Sequence, residues 1–446
     1  SWTSELCDPA SKKVSSGLSC QKLSDDKGAS NMNRHIFFPT MLAAIFAFGG
    51  CKDSGDQRGR WVGTIDTLEN GAVAVGNPAE GVWPEGGGWQ VTEDLRIGAL
   101  EGDGPDVFGQ LKMFAVDDLG QMYIADVQAL EIRVFGRDGS HIRTIGREGE
   151  GPGEFRGLWG MTIAPDGKLW ALDQRNARWS VFDQDGMLDR TFRRDIGSWG
   201  WIWGGGFDTE GNLIEFVPVN QTMFTRIDVG LRLVQSGEGR REIWEDTNPE
   251  AYDTLGAGDP PPEPEQQAAL RFNHANGGRM FQQMPFAARR AIRLDKTGNI
   301  WSGFSKEYTL VLTNLAGDTL RIVTRAIEPE DVASLARDSI LLLIRETEAQ
   351  GFRSVDLDET TFPTVRPFFE QITTDDQGGL WVWRRGSDST TTYDVFDRSG
   401  RYLGEVVTPF RVNRYTHPLI RGTEFYGVTQ DELEVGYLVR AHIDRN

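Results

Sequence analysis

Cysteine is almost missing from this chain, with three in 446 residues, at positions 7, 20 and 51. Any segment beginning after residue 51 therefore holds no disulfide and no thiolate metal site, whatever its redox compartment. Histidine is nearly as scarce. Beyond residue 51 only His141, His274, His417 and His442 remain, and none is spaced as a ligand pair, which argues against a multi-histidine zinc site. Positive charge is also short: 47 Lys and Arg stand against 66 Asp and Glu, a formal net charge of -19. A polyanionic partner needs a basic footprint, so DNA and RNA are excluded as partners. The pairs Arg289-Arg290 and Arg384-Arg385 are too short to reverse this and read as solvated charges at strand ends. The apolar run 36–48 falls short of the ~20 residues that cross a bilayer. No G-x-S-x-G elbow, Walker loop or dinucleotide fingerprint stands in a strand-to-helix setting.

Glycine and tryptophan, by contrast, are plentiful, at 53 and 14, and suit tight turns between aromatic-rich strands. The 39% hydrophobic and 25% charged residues supply a sizeable core under a soluble surface. The chain states one stretch twice, at 100–135 and 147–182: Gly102-Asp103-Gly104-Pro105 returns as Gly149-Glu150-Gly151-Pro152 after 47 residues. In the second copy the strands fall at 160–164, 168–172, 178–182 and 187–192, with turns at Pro165-Asp166-Gly167 and Gln184-Asp185-Gly186. Asp-Gly turns flanked by apolar alternation are hairpin signals, and a repeat of this period made of short strands specifies stacked or ring-closed β units.

The same grammar recurs at 206–233, 291–323 and 371–406, which makes five four-stranded blades. A sixth assembles from 425–428 and 434–442, completed by 89–97 from the N-terminal side, and closes the ring without an exposed edge. The expected fold is all-β, a six-bladed β-propeller over 89–446, with insertions at about 236–288 and 325–367. Residues 248–284 contain Pro260-Pro261-Pro262-Glu263-Pro264 without strand alternation and read as a long loop. Residues 328–350 carry Val332, Leu335, Ile340, Leu343 and Ile344 at helical spacing behind Glu328-Pro329-Glu330-Asp331, and read as an inserted helix.

Ahead of the repeats, residues 32–51 read MNRHIFFPTMLAAIFAFGGC: Met32, the cationic Arg34, the apolar run, then Gly49-Gly50 before Cys51. This resembles a bacterial lipoprotein signal peptide, which implies cleavage before Cys51 and a diacylglycerol on its thiol. Phe48 stands where the family carries an aliphatic residue. Residues 1–31 read as extraneous upstream sequence, 32–50 as the signal peptide, and 51–88 as a tether and N-terminal extension. Lys52 follows the cysteine where inner-membrane retention uses Asp, so the resemblance implies the outer membrane or the periplasmic face of the cell envelope, with the lipid as the sole membrane attachment.

Trp170-Ala171-Leu172-Asp173, Asn176-Ala177-Arg178 and Val181-Phe182 are similar to the NHL repeat, and the first copy matches through Tyr123-Ile124-Ala125-Asp126 and Arg133-Val134-Phe135 without the Asn. With GEGPGEF and the signal segment, the chain resembles bacterial six-bladed β-propeller lipoproteins. Asp126 and Asp173 hold equivalent repeat positions, where turn chemistry has Asp accept backbone N–H groups of the following loop. Loops after the second and fourth strands share one face around a central channel. That face is expected to collect the ligand candidates Glu150, Arg156, Trp159, Arg175, Trp199 and Trp201, with Glu154, as a polar and aromatic pocket for a protein, peptide or carbohydrate. The competing reading packs the tryptophans between blades and leaves the charges to solvate loops. The glycines of GEGPGEF read as a connector, since Glu150 and Glu154 would repel phosphate.

The expected function is a non-enzymatic, monomeric binding scaffold without a cofactor, anchored in the envelope. The alternative is a calcium-dependent lactonase-like hydrolase, after the gluconolactonase and paraoxonase propellers. Calcium needs six to eight oxygens, and no spacing in the chain identifies them.

Overall fold

The computed structural model describes residues 60–84, 86–193, 205–209, 211, 213–222, 226–235, 254–255, 269–355, 357, 359–386 and 389–445. Cys51, Trp199, Trp201, the signal segment and the proline run at 260–264 lie outside the described residues. A hairpin of β1 (Thr64–Thr67) and β2 (Val73–Asn77) comes first, then β3 (Gln90–Ile97). Sheet 1 comprises β4 (Leu111–Val116), β5 (Met122–Asp126), β6 (Glu131–Phe135) and β7 (His141–Ile145). Sheet 2 comprises β8 (Leu158–Ile163), β9 (Leu169–Asp173), β10 (Arg178–Phe182) and β11 (Leu188–Arg193). Sheet 3 follows with β12 (Gly205–Phe207), β13 (Leu213–Thr222), β14 (Arg226–Gln235) and β15 (Thr254–Leu255).

After a hairpin of β16 (Ala269–His274) and β17 (Arg279–Gln283), sheet 4 takes β18 (Arg290–Leu294), β19 (Ile300–Phe304), β20 (Thr309–Thr313) and β21 (Thr319–Arg325). Helix α1 (Ala333–Ala349) leads into β22 (Phe352–Val355). Sheet 5 is β23 (Gln371–Thr374), β24 (Leu380–Gly386), β25 (Thr391–Phe396) and β26 (Tyr402–Thr408). Sheet 6 is β27 (Leu419–Arg421), β28 (Glu424–Gln430) and β29 (Gly436–Asp444), with β3 on its outer edge. Within sheets 1 to 5 these strands run in sequence order as antiparallel meanders, and in sheet 6 the meander of β27 to β29 is completed by antiparallel β3.

Turn chemistry sets the repeat. Gly120, Gly167, Gly211, Gly298 and Gly378, which close the first hairpin of five sheets, all have φ between 78° and 82°, the left-handed region that glycine enters without a Cβ clash. Ahead of them Asp117, Asp295 and Asp375 each accept backbone N–H groups two and four residues on. Six apolar clusters then join each sheet to its successor. Tyr123 and Leu169 lie between sheets 1 and 2, Trp170 and Leu213 between 2 and 3, and Ile214 and Leu294 between 3 and 4. Leu310 and Phe396 lie between sheets 4 and 5, Trp381 and Phe425 between 5 and 6, and Tyr426 and Met122 between 6 and 1.

Three features differ from the sequence reading. Residues 248–284 are not wholly loop: β16 pairs with β17 and with the distant β22 in a three-stranded sheet. Leu270 and Phe272 on β16 are buried against Ile340 and Ile344 of α1, an alternation too short to stand out in the chain. The helix is present as expected, although Leu335 faces solvent at 49% exposure.

The third is in residues 51–88, expected as a tether and N-terminal extension: the extension joins the sheets, with β2 pairing in parallel with β21 to extend sheet 4. Val82 and Trp83 then donate to Tyr402 and Leu403 carbonyls on β26 at 3.4 and 2.8 Å, and β3 closes sheet 6. The N-terminal segment thus laces the outer edges of three successive sheets. Buried Asn77 fixes the crossing, donating to the carbonyls of Thr324 (3.1 Å) and Gly400 (2.9 Å) and accepting from Tyr402 N–H (2.7 Å) and the Trp61 indole (2.9 Å). Beside it Arg325 bonds the Ala79 carbonyl at 2.6 Å and the fully buried Asp394 at 2.6 Å, while the Tyr308 and Tyr402 hydroxyls donate to the same carboxylate.

Candidate functional site

The face that carries the connectors and the second-strand loops is built by the repeat itself. Asp126, fully buried at the end of β5, accepts Gly109 and Gln110 N–H at 2.8 and 3.0 Å from the preceding connector, and Gln128 and Ala129 N–H from its own loop. Asp173 repeats this with Arg156, Gly157 and Asn176 N–H. The two aspartates staple each second-strand loop to the connector entering the same sheet, the structural role expected of them. Arg178 clamps the GEGPGEF connector through the carbonyls of Glu150, Gly151 and Glu154 at 3.0, 2.6 and 2.7 Å. Buried Phe155 anchors the same connector between sheets 1 and 2.

Of the residues singled out from the sequence, Glu150 and Arg156 come together as a 2.7 Å ion pair, at 73% and 48% side-chain exposure. Arg175 is exposed on the loop between β9 and β10, its stem over Gly157. Trp159 is half-buried on β8, the first strand of sheet 2, with Lys112 Nζ of β4 5.2 Å from its ring centroid. Burial lowers the pKa of that ammonium. Glu154 accepts the Gly151 N–H and is paired with Arg147, which together hold its carboxyl below the usual range. These groups form an exposed polar rim. Trp199 and Trp201 lie outside the described residues.

A cleft of ≈ 340 Å³ opens elsewhere on this face, where β18 and β23 begin and the 409–418 connector enters sheet 6. Its walls carry Arg289, Arg290, Glu370, Gln371, Arg414 and His417, with Ile292 and Ile372 beneath. Buried Ser305 positions it: its Oγ accepts Arg289 N–H at 2.9 Å, its N–H donates to the Arg289 carbonyl at 2.9 Å, and its carbonyl accepts Phe368 N–H at 2.8 Å. Ser305 does in sheet 4 what Asp126 and Asp173 do in sheets 1 and 2. Glu370 sits between two guanidinium groups, 3.8 Å from Arg289 and 3.5 Å from Arg414.

Three arginines against one glutamate leave the lining cationic in a chain whose overall charge is negative. Burial and the neighbouring Arg414 charge outweigh Glu370 and lower the Arg289 pKa. The surrounding cleft walls and then the Arg293 charge lower the pKa of the His417 imidazole, an effect screened by the solvent that reaches this exposed side chain.

The cleft is not among the sequence candidates, and neither Arg289, on its wall, nor Arg384, outside it, is the solvated strand-end charge expected. Arg289 instead is only 23% exposed, and Arg384 is 20% exposed and paired with Asp394 and Glu405. Among the described residues no three His, Cys, Asp or Glu side chains gather closely enough to hold a metal ion.

No protein-family model matches the chain, and no curated protein matches it. Among solved structures it is similar to a DUF4221 family member from Bacteroides vulgatus, at 10% identity and TM-score 0.45, covering 80% of this chain and 99% of that one. A virginiamycin B lyase from Staphylococcus aureus aligns at 10% identity and TM-score 0.39 over 79% and 99% of the two chains. A gluconolactonase from Xanthomonas campestris aligns at 12% identity and TM-score 0.33 over 74% and 86%. At these values neither activity nor site residues carry over.

Proposed function

We propose that the chain is a six-bladed, ring-closed β-propeller, tethered to the bacterial cell envelope through a lipid on Cys51, that works as a binding scaffold through its mouth face. The ring reading rests on the sheet-to-sheet clusters, the last of which returns from sheet 6 to sheet 1. The binding reading rests on one observation: an open cleft of ≈ 340 Å³, within the range of small-ligand sites, on the face where connectors and second-strand loops meet. Its cationic lining opposes the calcium-dependent hydrolase, because a divalent cation placed there would meet Arg289, Arg290 and Arg414.

Residues 56–446 form one compact unit and contain no cysteine, so a single introduced thiol can be labelled cleanly. Arg290→Cys carrying a bulky maleimide should abolish capture of partners or ligands from envelope extracts. The same label at Asp185→Cys, on a turn between third and fourth strands, should leave capture intact. Equal capture by both would remove the mouth as the binding face. Cys51→Ala should move the full-length protein from the membrane to the soluble fraction; unchanged membrane retention would end the anchor proposal.

A further inference from the structure

We infer that the cleft between β18 and β23 binds a small organic acid through its carboxylate. This deepens the reading of the mouth as the binding face and rests on it. Arg289 and Arg414 approach Glu370 at 3.8 and 3.5 Å, ion-pair distances beyond hydrogen-bond length, so Glu370 balances charge without using those donors. Both arginines line the cleft, so their terminal guanidinium N–H groups are the donors offered to a ligand in a space large enough to hold one.

A carboxylate seated between Arg289 and Arg414 accepts from their guanidinium N–H groups. The arginine excess calls for a negative ligand, and guanidinium groups bind carboxylates through parallel N–H donors. Glu370 weakens the cleft for a multiply charged phosphate, so a monoanionic carboxylate fits better. The Gln371 amide also donates to the Arg414 carbonyl, which ties the connector bearing Arg414 to β23 and presets the two sides of the clamp.

Calorimetric titration of the full chain with D-glucuronate against D-glucose, and with Ala-Ala against its C-terminal amide, tests this and separates a free sugar acid from a peptide terminus. The expected result is binding of at least one acid and not of its neutral counterpart, weakening with added salt. Arg289→Met and Arg414→Met should each weaken it about tenfold or more, and Glu370→Gln should strengthen it. A fold defect would not strengthen binding, so the Glu370 variant guards against a merely structural effect. Equal binding of charged and neutral forms, tighter binding of glucose 6-phosphate than of glucuronate, or binding indifferent to all three substitutions would overturn the carboxylate assignment and leave the mouth as a binding face. No binding of either acid would also overturn it, while the labelling experiment decides the mouth independently.

Discussion

Asp394 shows what one side chain can require of its surroundings. Its carboxylate is fully buried, 2.6 Å from Arg325 and 3.6 Å from Arg384, and takes hydrogen bonds from two tyrosines. That carboxylate keeps Arg325 above its ordinary value despite burial, while burial raises the Asp394 carboxyl itself and carries the Tyr308 hydroxyl well above its own. Breaking a buried pair leaves an uncompensated charge, so Asp394→Asn should cost about 3–5 kcal/mol in urea unfolding with little change of shape. A cost under 1 kcal/mol would mean that water reaches the cluster. Asp126 and Asp173 were legible as loop-holding residues because an Asx turn is a local event. Asp394 was not, because its partners Tyr308 and Arg325 lie 86 and 69 residues away.

At the scale of elements, β1 and β2 cover the edge strand β21, and Asn77 joins them to sheet 5. Removing residues 60–77 would expose a row of unpaired backbone groups, a template for pairing with another chain. The truncated protein should lose about 5–10 °C of Tm and should elute as dimers or larger species in size exclusion. A monomer with unchanged Tm would show that the extension only decorates the sheet. The single change Asn77→Ala should cost about 2 kcal/mol, since it strands four hydrogen-bond partners. The strands 160–164, 168–172 and 178–182 were readable within two residues from alternation and Asp-Gly turns. The place of β2 was not, because it pairs with β21 about 250 residues on, and β16 finds β22 only after a whole sheet and a helix intervene.

At the scale of the molecule, several carboxylates are held below their usual range: Glu154 by the Gly151 N–H and then Arg147, Asp189 by Lys168, and Asp431 by the Tyr437 hydroxyl. A carboxylate with a depressed folded pKa contributes stability above its unfolded value, near about 4, and loses it as pH falls through the folded one. Tm measured by fluorimetry should therefore hold toward neutrality and decline as pH falls below about 4. Rising stability toward acid would contradict these pairings.

The sequence alone determined the β architecture, the repeat, the sharing of the sixth sheet between the two ends of the chain, and the inserted helix. Each of these follows from period-two alternation and turn chemistry that act over a few residues. Only the tertiary structure decided where the candidate site lies. Arg289, Glu370 and Arg414 span 126 residues of chain, and each reads locally as a solvated charge. They become one cationic cleft because packing sets the start of β18 beside the start of β23 and folds the connector into sheet 6 over both.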